Sequence, residues 1–312
     1  MGDGAMRCLA LEIVMLFYLV TLLPPSPHHP NTCCNFAAMR HLLRYLGHRL
    51  YTTWAVFWFI VPFLLIYPFQ WFFSRRPDGG PVVHALNRFW STLSIFMWGM
   101  PVQVVRETPG PAPQPCVYVA NHGSYVDIML LFKTIPGFLN MMGKASLARV
   151  PVWGPLFGNV YITVDRASAV SRGRAMVAAR RSLAEGKSIA IFAEGRISHA
   201  PGKELLPLLD GAFQMAIEAG VPLVPVGMPL NHMFMPDVAG NLRVRYHRLK
   251  IVFHAPIPTA GLTLADIPAL KERVAAQLAG TFLPEGAVKP GPSTWRAPKA
   301  ALPQDQPQPA NS

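Results

Sequence analysis

The 312-residue chain is 51% hydrophobic and only 14% charged, and its 28 basic against 16 acidic side chains leave a net charge of +12. That balance is too apolar for an ordinary soluble domain and points to membrane association. The positive excess calls for an anionic partner. With so little charge, no zinc-finger spacing and no long basic run, lipid headgroups fit better than nucleic acid.

Residues 1–38 read as an extension, either signal-like or dispensable to the core. The apolar run Cys8–Leu23 contains Glu12, falls short of the roughly 20 residues a span needs, and is broken at Pro24–Pro30. Residues 39–106 read as a membrane-associated helical region. Trp54–Phe73 is twenty residues without a charge; it ends in an aromatic cluster followed by Arg75 and Arg76, the side chains that anchor at a membrane interface. Pro62 and Pro68 are expected to kink it. Phe89–Val105 is a second apolar stretch, and the pair predicts a membrane-embedded helical hairpin. Of the four cysteines, Cys8, Cys33, Cys34 and Cys116, none forms a Cys-x-x-Cys. Cys116 alone in the core region fits a reducing compartment.

From Val102 onward the pattern alternates between strands and helices. Strands are expected at Val102–Arg106, Cys116–Ala120, Val160–Val164, Ser188–Ala193, Leu223–Gly227, Arg243–His247 and Leu249–His254. Helices are expected at Tyr125–Thr134, Ala169–Glu185, Gly211–Ala219 and Asp266–Ala279. The second helix is expected to present Met176, Val177, Leu183 and Ala184 on one face. The alternation predicts an α/β domain over residues 107–283 with a partly parallel sheet flanked by helices. The Pro-rich tail, 284–312, reads as disordered.

Two clusters carry chemistry. In Val117-Tyr-Val-Ala-Asn-His122-Gly-Ser-Tyr-Val-Asp127, an apolar strand breaks at Asn-His-Gly and a helix follows. His122 therefore sits at a strand's carboxyl end, where open α/β sheets bind ligands. Asp127, one turn into the helix, is spaced to reach back to the imidazole, fix its tautomer and stabilise the imidazolium. Alternatively, Asp127 is simply a helix N-terminal acid. Ser124 reads as an N-cap, since the Gly-x-Ser-x-Gly of a serine nucleophile is absent.

In the second cluster, Ile189-Ala-Ile-Phe-Ala-Glu194-Gly195-Arg196, a strand runs into a glycine and a planar cation suited to phosphate. Glu194 is expected either to hold Arg196 or to accept from a substrate hydroxyl. A surface ion pair at a turn is the plain alternative. Arg166, ending another strand, and Lys144 add charge at strand ends.

Asn121-His122-Gly-Ser-Tyr-Val-Asp127 resembles the His-x4-Asp block of the glycerolipid acyltransferases, specifically the 1-acylglycerol-3-phosphate (lysophosphatidate) acyltransferases. Phe192-Ala-Glu194-Gly195-Arg196 resembles their phosphate-binding Glu-Gly block, and Val221-Pro-Leu-Val-Pro225-Val226 a later block. Lys144 to Gly154 and Val164-Asp165-Arg166 are similar to the region between them. The order agrees across about residues 85–255. Three features depart from the family pattern. The spacing from Gly158 to Arg166 is longer. Ala193 stands where proline is common, with Arg196 directly after Gly195. Leu208-Leu209-Asp210-Gly211 lacks the usual lysine.

The resemblance implies transfer of an acyl chain from acyl-CoA or acyl carrier protein to the sn-2 hydroxyl of lysophosphatidate. His122 would be the general base and Asp127 its partner. Glu194, Gly195, Arg196 and Arg166 would bind the acceptor phosphate, with Lys144 as a further substrate contact. It implies no metal, no cofactor and no nucleic acid, and a membrane location with the domain facing the cytosol, at a bacterial inner membrane or an endoplasmic reticulum. Three other readings remain open: a remodelling enzyme for other lysolipid headgroups, a non-catalytic membrane-binding protein on the same fold, and a basic nucleic-acid binder.

Overall fold

The computed structural model describes residues 35–150, 152–198, 205–235 and 244–282. The expectations for residues 1–34 and for the tail from 284 lie outside the described residues.

Helices α1 (Asn35–Ser74) and α2 (Gly80–Met97) form an antiparallel hairpin. Side chains tie one helix to the other's backbone. Trp90 Nε1 donates to the Phe59 carbonyl at 2.8 Å, Ser94 Oγ to that of Trp58 at 2.8 Å, and Trp98 Nε1, just past α2, to that of Ala55 at 2.9 Å. Helix α1 runs through both Pro62 and Pro68. It is long and apolar enough to cross a membrane, and only 11% of its most apolar window is buried inside the protein. Leu50 and Leu65 are 72% and 70% exposed. Arg75 and Arg76 lie over the rings of Trp71 and Phe72, at 3.5 and 4.4 Å from the ring centroids.

The second arm of the hairpin needs correction. Phe89–Val105 is not one helix: α2 ends at Met97, Gly99 turns at φ +68°, and Val102–Arg106 is strand β1. Because β1 is a sheet strand, the sheet begins before residue 107. The strand expected at Val102–Arg106 forms there; because the apolar run continues across all three pieces, what composition left open was where the helical arm ends.

The remaining strands are β2 (Val117–Ala120), β3 (Leu139–Lys144), β4 (Ile162–Val164), β5 (Ser188–Phe192), β6 (Leu223–Gly227) and β7 (Leu249–Phe253). They make one seven-stranded sheet in the order β1-β7-β6-β2-β5-β3-β4, parallel except for the β6–β7 pair. The helices are α3 (Val126–Thr134), α4 (Trp153–Val160), α5 (Ala169–Ala184), α6 (Gly211–Ala219), the short α7 (Asn231–Phe234) and α8 (Ile267–Phe282). Strand β2 is buried along its length. Its alternation divides the core: Tyr118 and Ala120 join the layer with the hairpin, α3 and α4, while Val117 and Val119 join the layer with α5, α6 and α8.

Three elements escaped the sequence reading: β3, α4 and the four-residue α7. Strand β3 (Leu-Asn-Met-Met-Gly-Lys) has little β propensity and is held by pairing with β5 and β4. Helix α4 carries Gly154, Pro155 and Gly158, but its proline falls in the first turn, where no N–H is missed. The strand expected at Arg243–His247 does not form over Val244–His247, because β7 already has β1 on one side and β6 on the other. Arg243 itself lies outside the described residues. On α5, Ala175, Ala179, Ser182 and Leu183 face the core, whereas Val177 is 58% exposed.

Candidate active site

Strand β2 ends at Ala120, and the next seven residues build the centre of the site. Asn121 is locked by a two-way amide bond to Met228 beyond β6: its Nδ2 donates to the Met228 carbonyl at 3.3 Å and the Met228 N–H donates to its Oδ1 at 2.6 Å. His122 then faces Asp127, with Nδ1 at 3.0 Å from Oδ2. The Asp127 side chain is fully buried, while that of His122 is 14% exposed.

A buried carboxylate needs hydrogen-bond donors for its oxygens. Besides His122, Asp127 Oδ2 accepts the N–H groups of Gly123 and Ser124, each at 2.8 Å, and Oδ1 accepts Asn231 Nδ2 at 2.8 Å. A carboxylate so placed selects the tautomer with the proton on Nδ1, leaving Nε2 bare as a base. The imidazole also stacks on Phe192, with centroids 3.9 Å apart and planes at 15°.

Ser124 is structural. Its Oγ donates to the Met235 carbonyl at 2.8 Å and accepts the Val126 N–H at 3.3 Å, at the start of α3. Cys116 is no nucleophile either: it is buried, and burial pushes its thiol up to about 11.

The β5 loop holds the main chain of His122. The His122 N–H donates to Glu194 Oε1 at 2.8 Å, and its carbonyl accepts the Ser198 N–H at 3.2 Å. The other Glu194 oxygen accepts the Leu206 N–H at 2.9 Å. Burial raises the Glu194 carboxyl above its usual range, against the pull of those two N–H groups. Among the described residues Glu194 makes no ion pair with Arg196; it braces the loop that carries His122. A spacing argument had no way to see this, because the N–H groups it serves come from β2's end and from residue 206.

The cations lie at the carboxyl ends of neighbouring strands. Arg166 follows β4 and donates to the Gly195 carbonyl, and its own carbonyl accepts Arg172 Nη1 at 2.6 Å. Gly195 sits at φ +76°, and a Cβ there would strike the Arg166 guanidinium and Leu209. Replacing Gly195 with alanine is expected to lower stability by about 1–3 kcal/mol, through the left-handed backbone and the displaced arginine. A thermal midpoint within 1 °C of wild type would count against that packing. Arg196 and Lys144 are both exposed, and Lys144 ends β3 level with Val164 of β4. Neither Arg196 nor Lys144 makes a hydrogen bond or ion pair with the His122–Asp127 pair. The structure thus brings His122, Asp127 and Glu194 into contact and joins Arg166 to Gly195, while Arg196 and Lys144 share only the sheet edge.

A separate groove of about 420 Å³, lined by Asn140, Tyr161, Arg174, Ser182 and Lys187 among others, opens at the amino ends of β3, β4 and β5. None of the candidate residues lines it.

Sequence reasoning missed Asn231, Asn121 and the stacking role of Phe192. Asn231 is 104 positions from Asp127, so no local pattern signals it.

Residues 101–229 match the profile of the Acyltransferase family. The human 1-acyl-sn-glycerol-3-phosphate acyltransferase alpha is 29% identical over 194 residues, 60% of this chain and 65% of that protein. An uncharacterised acyltransferase of Schizosaccharomyces pombe is 34% identical over 155 residues, 48% of this chain and 54% of its own length. The matched stretch thus covers under two thirds of these curated relatives. The crystal structure of the 1-acyl-sn-glycerophosphate acyltransferase PlsC from Thermotoga maritima shares the fold, with a TM-score of 0.60 at 20% identity, over 77% of this chain and 96% of that one.

Proposed function

We propose that this protein, whose residues 101–229 match the profile of the Acyltransferase family, transfers an acyl chain from a thioester to the sn-2 hydroxyl of lysophosphatidate. The observation that carries the reading is the buried, four-donor Asp127 carboxylate set against the one open nitrogen of His122. His122 Nε2 takes the acceptor's hydroxyl proton as the oxygen attacks the thioester carbonyl. The tetrahedral intermediate collapses with cleavage of the C–S bond, and the same proton passes to the departing thiolate. The ester C–O bond replaces the thioester C–S bond, and His122 ends neutral. Asp127 balances the imidazolium that exists between the two transfers. The thioester supplies the activation, so the cycle calls for no metal and no covalent enzyme intermediate.

The acceptor phosphate is assigned to Arg196, with Gly195, Arg166 and Lys144 around it; Glu194 holds the loop rather than the lipid. The α1–α2 hairpin is assigned to the membrane surface. Its exposed leucines and phenylalanines would enter the lipid, with Arg75 and Arg76 at the headgroups. The acyl donor, as CoA or carrier-protein thioester, would approach from the cytosol.

The test is transfer of a labelled acyl group to lysophosphatidate in detergent micelles, first from acyl-CoA and then from acyl carrier protein. Lysophosphatidylcholine and lysophosphatidylethanolamine serve as competing acceptors. Preference for lysophosphatidate is expected. In Arg196→Ala, KM for lysophosphatidate should rise about 10- to 100-fold, the worth of a charge-assisted hydrogen bond, with kcat much less affected. Preference for a zwitterionic acceptor would replace this reading with the remodelling one. Inertness toward every donor and acceptor would leave a membrane-binding protein.

A further inference from the structure

Asn231 is fully buried and stands at the start of α7, on the far side of Asp127 from His122. Its side chain does two jobs. Nδ2 donates to Asp127 Oδ1 at 2.8 Å, and Oδ1 accepts the Lys250 N–H of β7 at 3.2 Å. The second bond orients the first. With the oxygen committed to β7, the NH2 group has to point at Asp127. On the other carboxylate oxygen, three donors converge. Among the described residues Asn231 is thus the one partner of Oδ1, and both side chains are fully buried.

We infer that Asn231 is a positioning residue for the reaction: its amide holds the Asp127 carboxylate against His122, and so keeps the proton of His122 on Nδ1. The inference rests on the proposed role of His122. Without the Asn231 donor, Oδ1 is a buried acceptor with no partner, and the carboxyl sheds that charge by taking a solvent proton on Oδ2, the oxygen that faces Nδ1. A protonated Asp127 donates to Nδ1 instead of accepting from it. The imidazole proton then moves to Nε2, and the base is blocked. The titratable groups around Asp127 are His122 itself, Glu194 from the β5 loop and His232 from α7.

Two substitutions separate this from a packing role. Asn231→Leu keeps the approximate shape and removes the donor. Its kcat should fall about 10- to 100-fold at neutral pH with KM within about twofold. The ratio to wild type should worsen as pH falls, because Asp127 protonates more readily. Asn231→Asp keeps an acceptor for the Lys250 N–H but places a second carboxylate against Asp127. Two such carboxylates share a proton at low pH, which restores a donor, and repel at high pH. Its ratio to wild type should therefore improve as pH falls. Opposite pH slopes support the inference; two variants whose pH profiles run parallel to wild type overturn it.

A substrate-free readout keeps the inference distinct from the proposed reaction. In the folded protein, ¹⁵N shifts of the His122 ring, assigned with His122→Ala, should report Nδ1–H in wild type and Nε2–H in Asn231→Leu. An unchanged tautomer in Asn231→Leu overturns the positioning role even if no acyl transfer is found. A changed tautomer in a protein inert to every lysolipid supports the positioning role while removing the proposed reaction.

Discussion

Acyl transfer by His122→Ala is expected to fall by about 10²–10⁴-fold, the usual worth of a general base. The acceptor hydroxyl is a poor nucleophile while it keeps its proton, and Nε2 of His122 is the nitrogen left free by the bond to Asp127. The two neighbouring carboxylates are not placed to take over. Asp127 is buried behind the ring, and both Glu194 oxygens are engaged by backbone N–H groups. The loss should appear in kcat, with KM for lysophosphatidate little changed, since the phosphate contacts are assigned to other residues. The bonds to the His122 N–H and carbonyl are main-chain bonds and survive the substitution. A lost enzyme that keeps its thermal midpoint is therefore the expected pattern. Retention of more than a tenth of wild-type kcat would remove His122 from the proton-transfer step.

Asp127→Asn should cost a similar factor, about 10²–10⁴, and unlike His122→Ala it should also cost stability. The amide is nearly isosteric with the carboxylate but carries only one acceptor. If that oxygen stays with the Gly123 and Ser124 N–H groups, the new NH2 faces the NH2 of Asn231. Flipping Asn231 relieves that contact and turns its NH2 onto the Lys250 N–H instead. Either arrangement leaves a buried donor without an acceptor, at about 1–3 kcal/mol. The imidazolium formed during transfer also loses its counter-charge. The measurement is kcat together with the thermal midpoint. Near-normal activity in Asp127→Asn would show that tautomer and charge at His122 are set by something else, and the mechanism would need another origin for its base.

The outline of the site was legible because its first half is local. His122 and Asp127 are five residues apart across a strand–helix junction, so their contact is a short-range one. The α/β alternation was legible for the same reason. Strands β2, β5 and β6 are buried on both faces, and their continuous apolar runs stand out against amphipathic helices. Strand β3 and helix α4 were not legible, since Met, Asn, Gly and Pro carry weak or contrary local preferences and neighbouring elements hold them in place.

By itself, then, the sequence determined the chemistry available. It set a histidine with a carboxylate in reach, glycine and arginine at strand ends, and an apolar amino-terminal region followed by an α/β domain. The tertiary structure decided what each group does. Glu194, which looks like a phosphate contact in the motif, is turned inward by N–H groups from two other segments. Arg166 meets Gly195 only because β4 and β5 run parallel on either side of β3. Asn231 reaches Asp127 only because β6 lies beside β2 in the sheet. Hydrogen bonds between distant segments are fixed by sheet order, and sheet order is a property of the whole packed core rather than of any window along the chain.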